Sequence, residues 1–172
     1  MPLENLPQST TDIAIDALIQ KVDVEHASGW AVDLMALGHL DPDTVELAGL
    51  DKTEWQKAAT LLPKVAKGMG LDLEDRQVLF RWIERHFLKN YLQGVLSEMD
   101  LIDCGYAVWA RLVAVDDDLP NPFRIYNDLG DLISIETGGR DLDSLARPDR
   151  RAWVLNHLVE DGAFERAGLP NP

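Results

Sequence analysis

Between Asp72 and Met99 the apolar residues Val78, Leu79, Trp82, Ile83, Phe87, Tyr91, Leu92, Val95, Leu96 and Met99 recur at steps of three and four. That rhythm puts them on one face of a 3.6-residue helix. No proline interrupts the stretch, and Gly94 is its only glycine. Asp72 is placed to cap the start, with Asp75 three positions on and Glu74 adding negative charge where free N–H groups gather. The spacing predicts one helix over 72–99, about 42 Å long. A helix of that length is central, kinked or shared with a partner. Phe80 and Leu88 widen its apolar face, so neighbours are expected on two sides.

The flanks read as shorter helices. Residues 1–9 form an irregular leader, and Ser9, Thr10 or Thr11 caps a helix over about 12–22. Asp23 starts a second helix through about Leu37, with Ala27, Trp30, Ala31, Leu34 and Met35 inward and Gly38 as its stop. Asp41 and Pro42 open a short helix that Gly49 ends. Asp51 and Glu54 form a cap pair before a segment that holds Trp55, Ala58, Ala59, Leu62, Val65, Ala66 and Met69. Pro63 lies inside that segment and predicts a kink or two shorter helices. Gly68 and Gly70 end it.

After Met99 the pattern loosens. Residues 101–115 favour a helix, with a break near Asp100 to Gly105, although β-branched residues near Val113 keep a strand open. Asp116, Asp117 and Asp118 precede Leu119-Pro120-Asn121-Pro122, and 116–122 reads as an exposed acidic loop. Residues 123–139 are the least regular, with Leu132 to Glu136 open to a short strand. Pro148 opens a last helix with Ala152, Trp153, Leu155, Leu158 and Val159 inward. Gly162 ends it, and 163–172 is a short tail. The expectation is a single all-α domain over 1–172. It is a compact bundle of six to seven helices around the central one, with room for one short β element in 106–139.

Charge narrows the function classes. The chain of 172 residues has 30 acidic and 16 basic residues, a net charge of −14. A field of that sign opposes ordinary nucleic-acid binding, which needs basic residues to displace counterions, and docking on anionic membranes. It would steer a basic protein toward the surface. The single cysteine, Cys104, excludes an internal disulfide and a cysteine-based zinc site; a quiet buried thiol is expected. No secretory signal and no bilayer-length apolar run is visible, so cytoplasmic residence is expected.

Motifs for chemistry are weak. There is no phosphate loop, dinucleotide glycine pattern or nucleophile elbow. The histidines are His26, His39, His86 and His157, none with a second histidine at metal-ligand spacing. No metal, cofactor or catalytic residue is expected. Two binding candidates remain. One is Asp116, Asp117 and Asp118, a contact patch for a basic partner. The other is the ridge of Arg81, Arg85 and Lys89 on the central helix, a docking surface for an acidic segment if it is more than a solvated edge.

These features point to an acidic cytoplasmic protein-binding module, in one form an inhibitor or immunity-like protein that neutralises a basic partner. One alternative is a helical structural subunit or homo-oligomer. The other is a hydrolase-type enzyme whose site folding gathers from Asp33, Glu98, Asp100, Asp103, His86 or Cys104.

Overall fold

The computed structural model describes residues 6–115, 121–136 and 147–172. Among the described residues there are nine helices and no strand. They are α1 (Thr10–Leu18), α2 (Val24–Ala36), α3 (Pro42–Ala48), α4 (Trp55–Gly68), α5 (Arg76–Leu92), α6 (Glu98–Val115), α7 (Arg124–Glu136), α8 (Arg147–Glu160) and α9 (Ala163–Arg166). The all-helical class is the one expected. The segments left open to strand, 106–115 and 132–136, lie in α6 and α7. The chain divides into two compact units, Met1–Ile83 and Glu84–Pro172, with the boundary inside α5.

In the first unit, α2 packs on α1, α3 and α4, and α3 packs on α4. Asp23 caps α2 by accepting from the backbone N–H of Glu25 and His26. Asp41 caps α3 through Thr44 N–H, with Pro42 in the first turn, where a missing donor costs nothing. Trp30 is fully buried, and its indole N–H donates to Thr10 Oγ1 at 2.8 Å, so the large side chain leaves no orphan donor. Leu34, Leu47, Ala58 and Leu62 are buried with it.

Of the two alternatives expected at Pro63, α4 excludes the pair of shorter helices: it is one helix with Pro63 inside. Pro63 is exposed, so its ring faces water, and it forfeits a single ladder bond. Trp55 is 59% exposed at the first position of α4.

The helix expected over 72–99 is two helices. Asp75, rather than Asp72, caps α5: its Oδ1 accepts from Gln77 and Val78 N–H at 2.9 and 3.2 Å. Asp72 instead closes the turn before it through Glu74 N–H. At the other end Gly94 takes φ +75°, a left-handed conformation that favours glycine. Gly94 N–H then bonds Tyr91 O at 3.0 Å and Val95 N–H bonds Asn90 O at 2.8 Å, which closes α5 with its last carbonyls satisfied. Ser97 and Asp100 restart the chain reciprocally: Ser97 N–H donates to Asp100 Oδ2, and Asp100 N–H to Ser97 Oγ. The break expected at Asp100 to Gly105 therefore falls at 93–97, and Gly105 is interior to α6.

In the second unit, α6, α7 and α8 pack on one another and α9 packs on α8. Phe123, Tyr126, Leu129, Val154, Leu158 and Phe164 are fully buried. Phe87, on the last turns of α5, meets Phe123 edge-on at 6.4 Å. Of the residues expected inward on α8, only Leu158 is buried. Ala152 is exposed, Trp153, Leu155 and Val159 are half-buried, and Val154 takes the central place. The expected short tail instead carries α9, whose Phe164 is a core residue. No helix of the described residues is long and apolar enough to cross a membrane.

Candidate functional site

The turn between α5 and α6 builds a cleft. It measures about 530 Å³ and is lined by Gly94, Val95, Leu96, Ser97, Glu98, Asp100 and Arg151. The left-handed Gly94 ends one helix and the Ser97–Asp100 box starts the next, so the short connection is held at both ends. Glu98, in the first turn of α6, is only 9% exposed. Its Oε1 accepts one long bond, 3.4 Å, from the hydroxyl of buried Tyr91. Burial and the adjacent Glu98 carboxylate push that phenol well above its ordinary value, so it stays a donor.

Arg151 forms the opposite wall. Its guanidinium carbon lies 4.8 Å from the centre of the Tyr91 ring, and Nη2 donates to Leu92 O at 3.4 Å. The cation thus seats on an aromatic face and a helix-end carbonyl. Asp100 is held below the usual carboxylate range by Ser97, whose hydroxyl and N–H both bond it. The cleft therefore presents two carboxylates and one guanidinium.

A second cluster lies in the first unit. Ligand atoms of Asp16, Asp23 and His26 all fall within 4.8 Å of one another. Asp16 projects from α1 and is buried; His26 stands in the first turn of α2, and its Nδ1 donates to Asp16 Oδ2 at 2.6 Å. That bond raises the imidazole pKa, while burial raises that of Asp16. Asp23 bonds Lys21 at 2.8 Å, which with its helix-cap bonds lowers it to about 2. One imidazole and two carboxylates suit a divalent ion chemically. As arranged, His26 and Lys21 already balance the two carboxylates.

A third network is built around Glu84, at 1% side-chain exposure. It accepts from Arg166 Nε at 3.2 Å and Nη2 at 2.9 Å, and Arg166 also bonds Asp161. Burial pushes Glu84 up to about 7 even so. This fork ties α9 to the middle of α5.

The residues singled out from sequence are dispersed. Asp116, Asp117 and Asp118 lie outside the described residues. Arg81 is exposed on α5, while Arg85 and Lys89 are half-buried. Arg85 donates through Nη1 to the carbonyls of Ala167 and Gly168 at 3.2 and 2.9 Å, so the middle of the ridge closes the end of α9. His86 pairs with Asn90 through Nε2 at 2.9 Å, and burial lowers its pKa. Cys104 is half-buried, and burial with Asp100 and Asp103 raises its thiol. Asp33 accepts from Ser9 Oγ. Sequence reasoning named Glu98 and Asp100 but had no means to see the cleft between them and Arg151, more than fifty positions away. It had Asp23 only as a helix start and His26 only as a histidine with no second histidine at ligand spacing, and did not bring them together with Asp16. The only linear signal there is the three-residue step from Asp23 to His26 at a helix start.

No family model, curated protein or solved structure matches this chain.

Proposed function

We propose that this chain is a cytoplasmic protein-binding module that takes a basic partner, in the manner of an inhibitor that neutralises it. One observation carries the reading: in the first unit, unbalanced acid and exposed apolar surface share the same stretch. Residues 10–54 hold ten acidic and two basic residues. Both lysines are engaged, Lys21 with Asp23 and Lys52 with Glu25. The same stretch exposes Val32, Leu37, Leu40 and Val45 at 53, 55, 65 and 45%, and Trp55 follows at once. Apolar and aromatic anchors among charges are how a protein surface combines affinity with steered association. The single half-buried thiol fits a reducing compartment.

The test immobilises the chain and captures partners from its host. Capture should favour basic proteins, weaken as salt rises through slower association, and fail with Leu40→Ser/Trp55→Ser and with Asp33→Asn/Asp43→Asn/Glu46→Gln. Association that ignores both salt and these substitutions would overturn the reading.

A homo-oligomer is the second reading, favoured by α6. Met99 and Tyr106 stand seven positions apart on one side of it, 38 and 47% exposed, and the Tyr106 ring contacts that of Trp109 at 5.6 Å. Sedimentation showing a monomer at high concentration removes this reading.

A further inference from the structure

We infer that the cleft between α5 and α6 is a binding site for a cationic head group, a guanidinium or ammonium, with Glu98 as its anchor. The inference stands apart from the acidic face of the first unit, because it concerns different residues. A carboxylate more than nine-tenths buried is costly unless paired and fully hydrogen-bonded. Glu98 has, among the described residues, one partner for its carboxylate, the Tyr91 hydroxyl at 3.4 Å. The permanent cation lining the cleft, Arg151, is committed to the Tyr91 ring and Leu92 O. Glu98 nevertheless lines an open space of about 530 Å³, large enough for the head and stem of an arginine or lysine side chain.

The rest of the cleft fits that ligand. Asp100 adds a second, exposed carboxylate at the mouth, kept ionised by its bonds from Ser97. Val95, 67% exposed, and half-buried Leu96 offer apolar surface to a methylene stem. The ligand's N–H groups would complete the Glu98 carboxylate with short charge-assisted bonds, which the long Tyr91 bond does not supply. The site is built on two helix ends locked by Gly94 and by the Ser97–Asp100 box, so little order has to be created on binding. Such a head group could belong to a free small cation or to a basic residue of a partner.

The experiment titrates the intact chain with Nα-acetyl-arginine amide, Nα-acetyl-lysine amide and the uncharged Nα-acetyl-norleucine amide, following backbone amide shifts. A short peptide with one central arginine distinguishes the sources: much tighter binding than the amide assigns the site to a protein side chain, equal binding to a free cation. Either result requires saturable shifts of Gly94 to Asp100 with the cationic probes and none with norleucine. E98Q should weaken binding about tenfold, the loss of one charge-assisted interaction. Because E98Q alters a buried group, V95R at the exposed rim serves as a second variant. It should weaken cation binding with an unchanged melting temperature. Absent shifts, equal shifts with norleucine, or full binding by folded E98Q and V95R would each overturn the inference. None of these outcomes bears on the salt dependence of partner capture by the first unit.

Discussion

Gly105 of α6 lies directly against the ring of Tyr126 of α7: a β-carbon at that position would come within 2.2 Å of the ring's Cγ. The ring is fully buried, and its hydroxyl has no hydrogen-bond partner among the described residues. Two helices of the second unit thus approach as closely as they do because one residue has no side chain. Gly105→Ala should therefore destabilise by about 2 kcal/mol or more through forced displacement of Tyr126, despite alanine's better helix propensity. Urea unfolding measures this; a neutral or stabilising result would show that the contact is not tight.

The orphaned hydroxyl makes the opposite forecast. Tyr126→Phe removes a buried, unbonded polar atom and keeps the ring. It should leave stability unchanged or raise it by about 1 kcal/mol. A loss above that size, read from the same unfolding curves, would mean that the hydroxyl has a partner in solution.

Removing Arg166 leaves Glu84 buried without its fork. Arg166→Ala should cost roughly 3 kcal/mol, the low end for a broken buried pair because the guanidinium is partly exposed. Glu84→Gln keeps an acceptor for Arg166 and should cost about 1 kcal/mol. The order of the two denaturation midpoints is the check, and a reversed order would mean that the carboxylate does not depend on Arg166.

The Asp16–His26 pair gives a pH dependence. Folding raises the histidine pKa above its ordinary 6.5, chiefly through the bond to Asp16 and with added attraction from Asp23 and Asp12. The folded state then holds the proton more tightly than the unfolded state. The histidine's contribution is full below its ordinary 6.5 as long as Asp16 is ionised, and declines as pH rises through the raised value. Wild type should lose stability relative to His26→Asn between mildly acidic and mildly alkaline pH. Parallel stability profiles for the two proteins would remove the pair as the cause.

Gly94→Ala tests the turn that splits the long apolar segment. At φ +75° an alanine is strained, and about 1 kcal/mol should be lost. The cation-induced shifts of 94–100 should weaken in the same variant, since Gly94 holds one end of the cleft. An unaffected melting temperature would show that the turn can relax at no cost.

Much of the helical order was legible because it is local. Asp23, Asp41 and Pro42 start helices, and Gly38, Gly49 and Gly70 stop them, through backbone needs that neighbouring residues satisfy. Periodicity found the inward face of α2. It failed where an apolar run continues across a turn. Val95, Leu96 and Met99 keep the helical spacing of α5 although Gly94 reverses the chain between them, because hydrophobic spacing does not register a single positive φ. It failed again on α8, where Val154 and Leu158 face the core and Trp153 does not, since an amphipathic stripe leaves its rotation open by a residue.

The sequence alone determined that this chain is helical, acidic and, through its single cysteine, without an internal disulfide; composition and the i, i+3, i+4 rhythm act within a few residues. Only the tertiary structure decided which charges are left without strong partners. Arg85 is spent on the end of α9, Arg166 on Glu84, and Arg151 on Tyr91, while Glu98 keeps one long bond. The arginine pairings, across 59 to 83 positions, depend on how helices pack, and packing is a property of summed shape that no local window contains.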